Sequence, residues 1–415
     1  MKHYLFCLRH FNDIDNITPA IHFLLERRPV RVTILIYSLN YDYRSDPSLQ
    51  FLQKTWGERL RVFWIGALAG YSEWLVYSIR SRYWSYLWRQ FIDIANPNKN
   101  DSLKEKLASI FTDWGAPEAA IFDQNRTYLI AGLLNALRSC GVSLVISLPV
   151  SPWINVNVLR QVDLIRLDTK DFKKKHDYSG FDAIGQADPF YSESMTVFFK
   201  LLGHPSPFQS RERILGSIRY SDEWLNIRKH FFKANSPMLS AKSQTAYRRR
   251  LLVLPSHQKN NSFWDEYLRT LQFISQFDGY DILVKPHTRY GKGYSNLPKN
   301  ILLATEADTS GLIDWSDIIL FWSSSVVLEG FQKGKTMINL NYLNGNRSVF
   351  TLLGAGYSCN CRDDLLEVML DEGKMKEAEA ASVLGRDLVR RNIIEGGLGV
   401  GIVDRYVEFC ESPFR

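Results

Sequence analysis

Short apolar runs alternate with helical patterns along the chain. Tyr4–Leu8 is apolar and Asn12–Asn16 is a polar cluster suited to a turn. From Thr18 to Leu25 apolar residues recur at helical spacing, with Pro19 in what reads as the first turn, where a missing N–H does no harm. Val30–Tyr37, Arg61–Ile65, Ala119–Phe122 and Val142–Leu148 read as buried strands, and a helical pattern from Thr127 to Leu137 separates the last two. Strands alternating with helices predict parallel βαβ units in one doubly wound sheet.

After about residue 210 the organisation starts again. Strands are expected at Arg250–Leu254, Ile282–Val284, Ile301–Ala304, Ile318–Phe321 and Met337–Leu340. Helices are expected at Phe263–Phe277, Thr309–Trp315 and Ser323–Gln332, and around residues 363–371, 374–391 and 402–409. Between the halves, residues 200–245 carry Pro205, Pro207 and Pro237 and read as a linker. The expected fold is α/β: two Rossmann-like domains with parallel sheets facing across a cleft, residues 1–205 and 210–415, the last helix crossing back to the first. The 415-residue length suits two or three domains, and ligands in such sheets bind beyond the carboxyl ends of the strands.

Composition narrows the class. Five scattered cysteines argue against a disulfide framework; Cys359 and Cys361 lack a second pair at metal-ligand spacing and read as ordinary thiols. No signal peptide or run of about 18 apolar residues is seen, so a cytoplasmic or peripheral location is expected. The net charge of +7 suits phosphorylated ligands or an anionic surface; with no nucleic-acid-binding motif, no nucleic-acid partner is expected. Residues 71–95 interleave Trp74, Tyr77, Tyr83, Trp84, Tyr86, Trp88 and Phe91 with Arg80, Arg82 and Arg89, which suits either a membrane interface or a helix packed on its own domain.

Candidate chemistry gathers at predicted strand ends. One strand runs into Pro255-Ser256-His257, a second into Lys285-Pro286-His287, and a third into Ser323-Ser324-Ser325 with Glu329 four residues on. Backbone N–H groups at a helix start, serine hydroxyls and the nearby Lys285, His287 and His257 suit a phosphate, and Glu329 suits ribose hydroxyls. Asp308 and Asp314 read as caps or surface charges. For an acid–base group the first half offers His10, Asp13 and Asp123, all at predicted strand ends. No DxD pair sits in a convincing strand-end loop, so a metal-independent reaction is expected.

The Lys285-Pro286-His287 motif, Thr309–Asp317 and Ser323–Glu329, with Gly216–Tyr220 ahead of them, resemble the donor domain of bacterial surface- and capsule-polysaccharide transferases. These are GT-B enzymes similar to the CDP-glycerol glycerophosphotransferases and, more distantly, to UDP-sugar 2-epimerases. The resemblance covers about residues 214–341; the first domain matches only in its βα pattern. It implies that His287 and Ser323–Ser325 contact donor phosphates and Glu329 the ribose. It also implies a nucleotide-activated sugar or polyol as donor substrate, no permanently bound cofactor, and a glycan or lipid-linked acceptor. A His-Gly pair common in related transferases has no counterpart at Leu148–Pro152. A sugar-nucleotide 2-epimerase and a catalytically inactive binding scaffold therefore stay open as alternatives, as do inverting and retaining chemistry.

Overall fold

The computed structural model describes residues 1–38, 41–68, 100–149, 151–152, 154–155, 177–201, 211–231, 248–256, 262–287, 294, 297–305 and 307–414. The aromatic and cationic segment 71–95 and His257 lie outside them. The chain divides into two compact units. The first comprises residues 1–151, 161–231 and 398–415, and the second residues 152–160 and 232–397.

In the first unit the strands are β1 (Lys2–Leu8), β2 (Val30–Ile36), β3 (Leu60–Trp64), β4 (Ala119–Phe122), β5 (Leu144–Ser147), β6 (Ala183–Gln186) and β7 (Glu212–Ile214). They form one parallel sheet in the order β3-β2-β1-β4-β5-β6-β7. β1 and β4 are buried along almost their whole length, as a sheet covered on both faces requires. The terminal helix Ile402–Glu411 packs on the helix Phe11–Arg27, where Arg28 pairs with Glu411 at 2.8 Å. Gly185 in β6 makes room for it: a Cβ there would stand 2.9 Å from Phe409 and 2.6–2.7 Å from Leu215 and Leu148.

The second unit holds β8 (Arg249–Leu254), β9 (Tyr280–Val284), β10 (Ile301–Leu303), β11 (Ile318–Phe321), β12 (Thr336–Leu340) and β13 (Tyr357–Cys359). Their order is β10-β9-β8-β11-β12-β13, again all parallel. Leu251, Val253, Ile318, Leu320, Trp322 and Ile338 pack with Tyr267, Leu271 and Ile274 of the helix Trp264–Ile274. Among the described residues no helix is long and apolar enough to cross a membrane.

Several local expectations change. The first helix begins at Phe11, so Asn12–Asn16 form its opening turns and Pro19 lies inside it. Burial of every residue from Ile14 to Leu25 offsets the roughly 3 kcal/mol penalty of an interior proline. The helix after β11 begins at Val327, four residues later than the pattern implies, because Ser323 takes a left-handed φ of 43° that no helix continues through. Within the stretch read as a linker, β7 and the helix Asp222–Phe231 are folded.

Candidate functional site

A doubly wound sheet opens a crevice where its strand order reverses, because the neighbouring connections leave to opposite sides. In the first unit that point lies between β1 and β4, and in the second between β8 and β11. The candidate residues fall at these two places.

Asp123 follows β4 directly and is buried at 5% exposure. The backbone N–H of Arg9 donates to its Oδ2 at 2.8 Å, the Arg9 Nε donates to the same oxygen at 3.4 Å, and the Tyr37 hydroxyl donates to Oδ1 at 2.5 Å. Asp13, in the first turn of Phe11–Arg27, reaches the same Arg9 at 3.6 Å. Burial, and then the charge of Asp13, pushes the Asp123 carboxyl up to about 7, while Arg9 and the Tyr37 hydroxyl pull the other way. Burial and then Asp123 hold the Tyr37 phenol protonated, well above its ordinary range. His10 caps the same helix in an extended conformation, exposed, with its ring 6.3 Å from Tyr41. The structure thus brings Asp13 and Asp123 together through Arg9, with Asp123 buried and His10 exposed next to Arg9 in the chain.

In the second unit, Ser323 is the one non-glycine residue with positive φ among the described residues. Such a backbone costs roughly 1–2 kcal/mol in an L-residue, and two contacts hold it. The Ser256 hydroxyl, just past β8, donates to the Ser323 carbonyl at 3.2 Å, and the Asn344 side-chain amide donates to the Ser323 Oγ. The Asn344 Oδ1 in turn accepts from the Asn346 N–H at 3.0 Å. Ser324 and Ser325 follow, partly exposed, ahead of Val327–Gln332.

Glu329 is almost fully buried. Its Oε1 accepts from the Ser310 hydroxyl and pairs with Lys333 at 2.8 Å. Lys333 also reaches Asp314 at 2.8 Å. Lys285, past β9, donates to the Thr305 carbonyl at 2.5 Å, and His287 is half-buried two residues on. Asp308 caps the helix Thr309–Trp315 by accepting from the Gly311 N–H at 2.9 Å.

Sequence reasoning did not single out Arg9, Tyr37, Asn344, Ser310 or Lys333. Lys333 and Arg9 carried a signal, their i,i+4 spacing from Glu329 and from Asp13. Tyr37, Asn344 and Ser310 reach their partners across 86, 21 and 19 residues.

No family model matches the chain, and no curated protein matches it. Solved structures do. The UDP-GlcNAc 2-epimerase of Neisseria meningitidis, solved bound to UDP-GlcNAc, superposes with a TM-score of 0.58 at 12% identity, covering 99% of each chain. The Arabidopsis thaliana protein UGT89C1, complexed with UDP, gives 0.58 at 11% identity over 100% of each chain. The glycotransferase of kitacinnamycin gives 0.52 at 12% identity, covering 99% of this chain and 98% of its own. At these identities the likeness is one of fold: two Rossmann-like units of the GT-B type.

Proposed function

We propose that the protein is a GT-B enzyme that transfers a sugar, or a polyol phosphate, from a nucleotide-activated donor to a hydroxyl acceptor. The observation that carries this reading is the coincidence of two chemistries with two switch points. The second unit places the Ser256–Ser323 contact and the following serines where the strand order reverses between β8 and β11. In the first unit Arg9, Asp13 and Asp123, read as an acid–base cluster, lie at the reversal between β1 and β4.

The second unit is read as the donor site. Serine hydroxyls and backbone N–H groups at the β11 turn suit a diphosphate, and His287 stands at the next strand end. Two of the structural relatives are complexes with UDP or UDP-GlcNAc, which makes a uridine nucleotide the first donor to test. The sequence resemblance around residues 214–341 supports a surface polysaccharide or its lipid-linked precursor as the product.

The first unit is read as activating the acceptor. His10 is exposed, and an imidazole suits proton acceptance at neutral pH better than a carboxylate tied to arginine. Asp13, Arg9 and Asp123 below it fix the loop and its field. The acceptor proton passes to His10 as its oxygen attacks the donor. On a sugar the attack falls on the anomeric carbon, whose bond to the phosphate oxygen breaks to release the nucleoside diphosphate. On a polyol phosphate it falls on the phosphorus, whose P–O–P bond breaks to release the nucleoside monophosphate. In either case the leaving phosphate is stabilised by the serine turn.

A second reading, 2-epimerisation of a nucleotide sugar, draws support from the carboxylate pair Asp13 and Asp123, since epimerisation needs acid–base groups around one sugar. Incubating UDP-GlcNAc with the enzyme alone and following the sugar by proton NMR separates the two. Formation of the 2-epimer favours epimerisation. For transfer, UDP, CDP, CMP, GDP and ADP are titrated by thermal shift. A nucleotide at about 100 times its Kd stabilises the fold by about 2.7 kcal/mol, and no shift from any of them at millimolar concentration removes the donor-site reading.

A further inference from the structure

The carboxyl rim of the first sheet holds side chains that the fold itself leaves unanswered. Gln124 follows Asp123 at the end of β4, is 5% exposed, and has both its Oε1 and its Nε2 buried with no partner. Gln186 closes β6 at 3% exposure, and its Nε2 is likewise unpartnered. Beyond β7, the Ser217 hydroxyl is fully buried and unpartnered too. An unanswered buried amide or hydroxyl is destabilising, and packing does not explain three along one rim.

They are placed together by the register. Phe122 pairs with Ser147, and Ser147 with Ile184, so Gln124 and Gln186 stand two residues past one registered row. They belong to strands separated only by β5, about 10 Å apart at the usual strand spacing. The Ser147 hydroxyl, between them, donates to the Gln124 carbonyl at 2.9 Å and fixes that backbone. Beside them Asn125 donates to the Tyr191 hydroxyl at 3.5 Å, which meets the Tyr178 hydroxyl at 3.0 Å.

The chemistry of this rim is amide and hydroxyl. The two nearest carboxylates are engaged, Asp123 by Arg9 and Tyr37 and Asp188 by the Phe190 N–H, while Arg126 is exposed. We infer that Gln124 and Gln186 form a subsite for an uncharged polyhydroxyl ligand, the glycan end of the acceptor, which supplies the missing hydrogen bonds. The inference rests on the acceptor-side reading of the first unit. The two glutamine amides carry no charge to pair with an anion, so the subsite prefers a neutral sugar to its phosphate ester.

The test is saturation-transfer NMR on the full-length protein with glucose, galactose and N-acetylglucosamine, and with glucose 1-phosphate. Wild type, Gln124→Leu and Gln186→Leu are compared. At least one neutral sugar binds wild type, binds more tightly than glucose 1-phosphate, and loses at least tenfold in affinity in each variant. Both variants unfold in urea at midpoints equal to or above wild type, because leucine removes an unanswered polar group. Nucleotide titration of the same variants is unchanged. The inference is overturned by unaltered sugar binding in the variants, by tighter binding of the phosphate ester, by no neutral sugar binding to wild type, or by loss of binding together with a lowered midpoint. Failure of nucleotides to bind wild type sinks the donor-site reading instead, while the sugar arms still decide this one.

Discussion

Asn344→Ala tests how the serine turn is held. Ser323 sits at φ 43°, and Asn344 donates to its Oγ from a loop 21 residues away. The left-handed backbone disfavours this conformer by roughly 1–2 kcal/mol, and one buried neutral hydrogen bond returns about 1 kcal/mol. Removing Asn344 therefore shifts the turn away from its present shape. If nucleotide binds only that shape, a loss of about 1 kcal/mol weakens binding by up to about fivefold. Glycine adopts positive φ without steric penalty, so in a Ser323→Gly background the turn no longer depends on Asn344, and Asn344→Ala then weakens binding less than about twofold. The assay is isothermal titration of the tightest-binding nucleotide against wild type, both single variants and the double variant. Additivity within about 0.4 kcal/mol, the range for independent sites, refutes the coupling.

His10→Ala is expected to lower kcat at least about 100-fold while the nucleotide Kd stays unchanged, measured by product formation and by titration. His22 gives a pH prediction. It is buried among Phe23, Phe51, Trp56 and Trp224, its Nδ1 accepts from the Trp56 indole at 3.2 Å, and burial lowers its pKa to about 4. The unfolded ring takes a proton near 6.5, so stability falls as pH drops from about 6.5 towards 4, by at most about 3 kcal/mol; urea midpoints at pH 7 and pH 5 draw together in His22→Phe. Gly185→Ala forces a Cβ against Leu148, Leu215 and Phe409 and is expected to cost about 1–3 kcal/mol by urea unfolding.

The strands that carry the site were legible because each is a continuous apolar run. Ala119–Phe122 and Ile318–Phe321 appear with the bounds read from sequence. β6, β7 and β13 were not, since four- and three-residue strands such as Ala-Ile-Gly-Gln and Glu-Arg-Ile show no period or β-branched bias to distinguish them. At the site, residue types at strand ends were visible, but pairing was not. Asp123 meets Arg9 across 114 residues, and Ser256 meets Ser323 across 67. The left-handed turn at Ser323 was hidden for another reason: triple serine is equally at home as a helix cap, and only the finished packing selects the strained form.

Glu329 shows where a role read from residue type meets the geometry of the fold. A ribose contact needs a carboxylate within reach of the ligand, yet the Glu329 side chain is 1% exposed and its Oε1 already receives Ser310 and Lys333. The charge is therefore first an internal one, compensated by a lysine whose own side chain is 12% exposed. Removing only the cation strands it: Lys333→Met is expected to destabilise the second unit by about 3–5 kcal/mol, the range for breaking a buried pair. Glu329→Gln retains an acceptor for Ser310 and loses the charge, leaving Lys333 its contact with Asp314, so it should cost less. If Glu329 also serves the ribose, Glu329→Gln weakens UDP more than it weakens inorganic pyrophosphate, which has no ribose. If both ligands weaken equally, the carboxylate only shapes the turn, and the ribose contact has to come from another residue of the second unit.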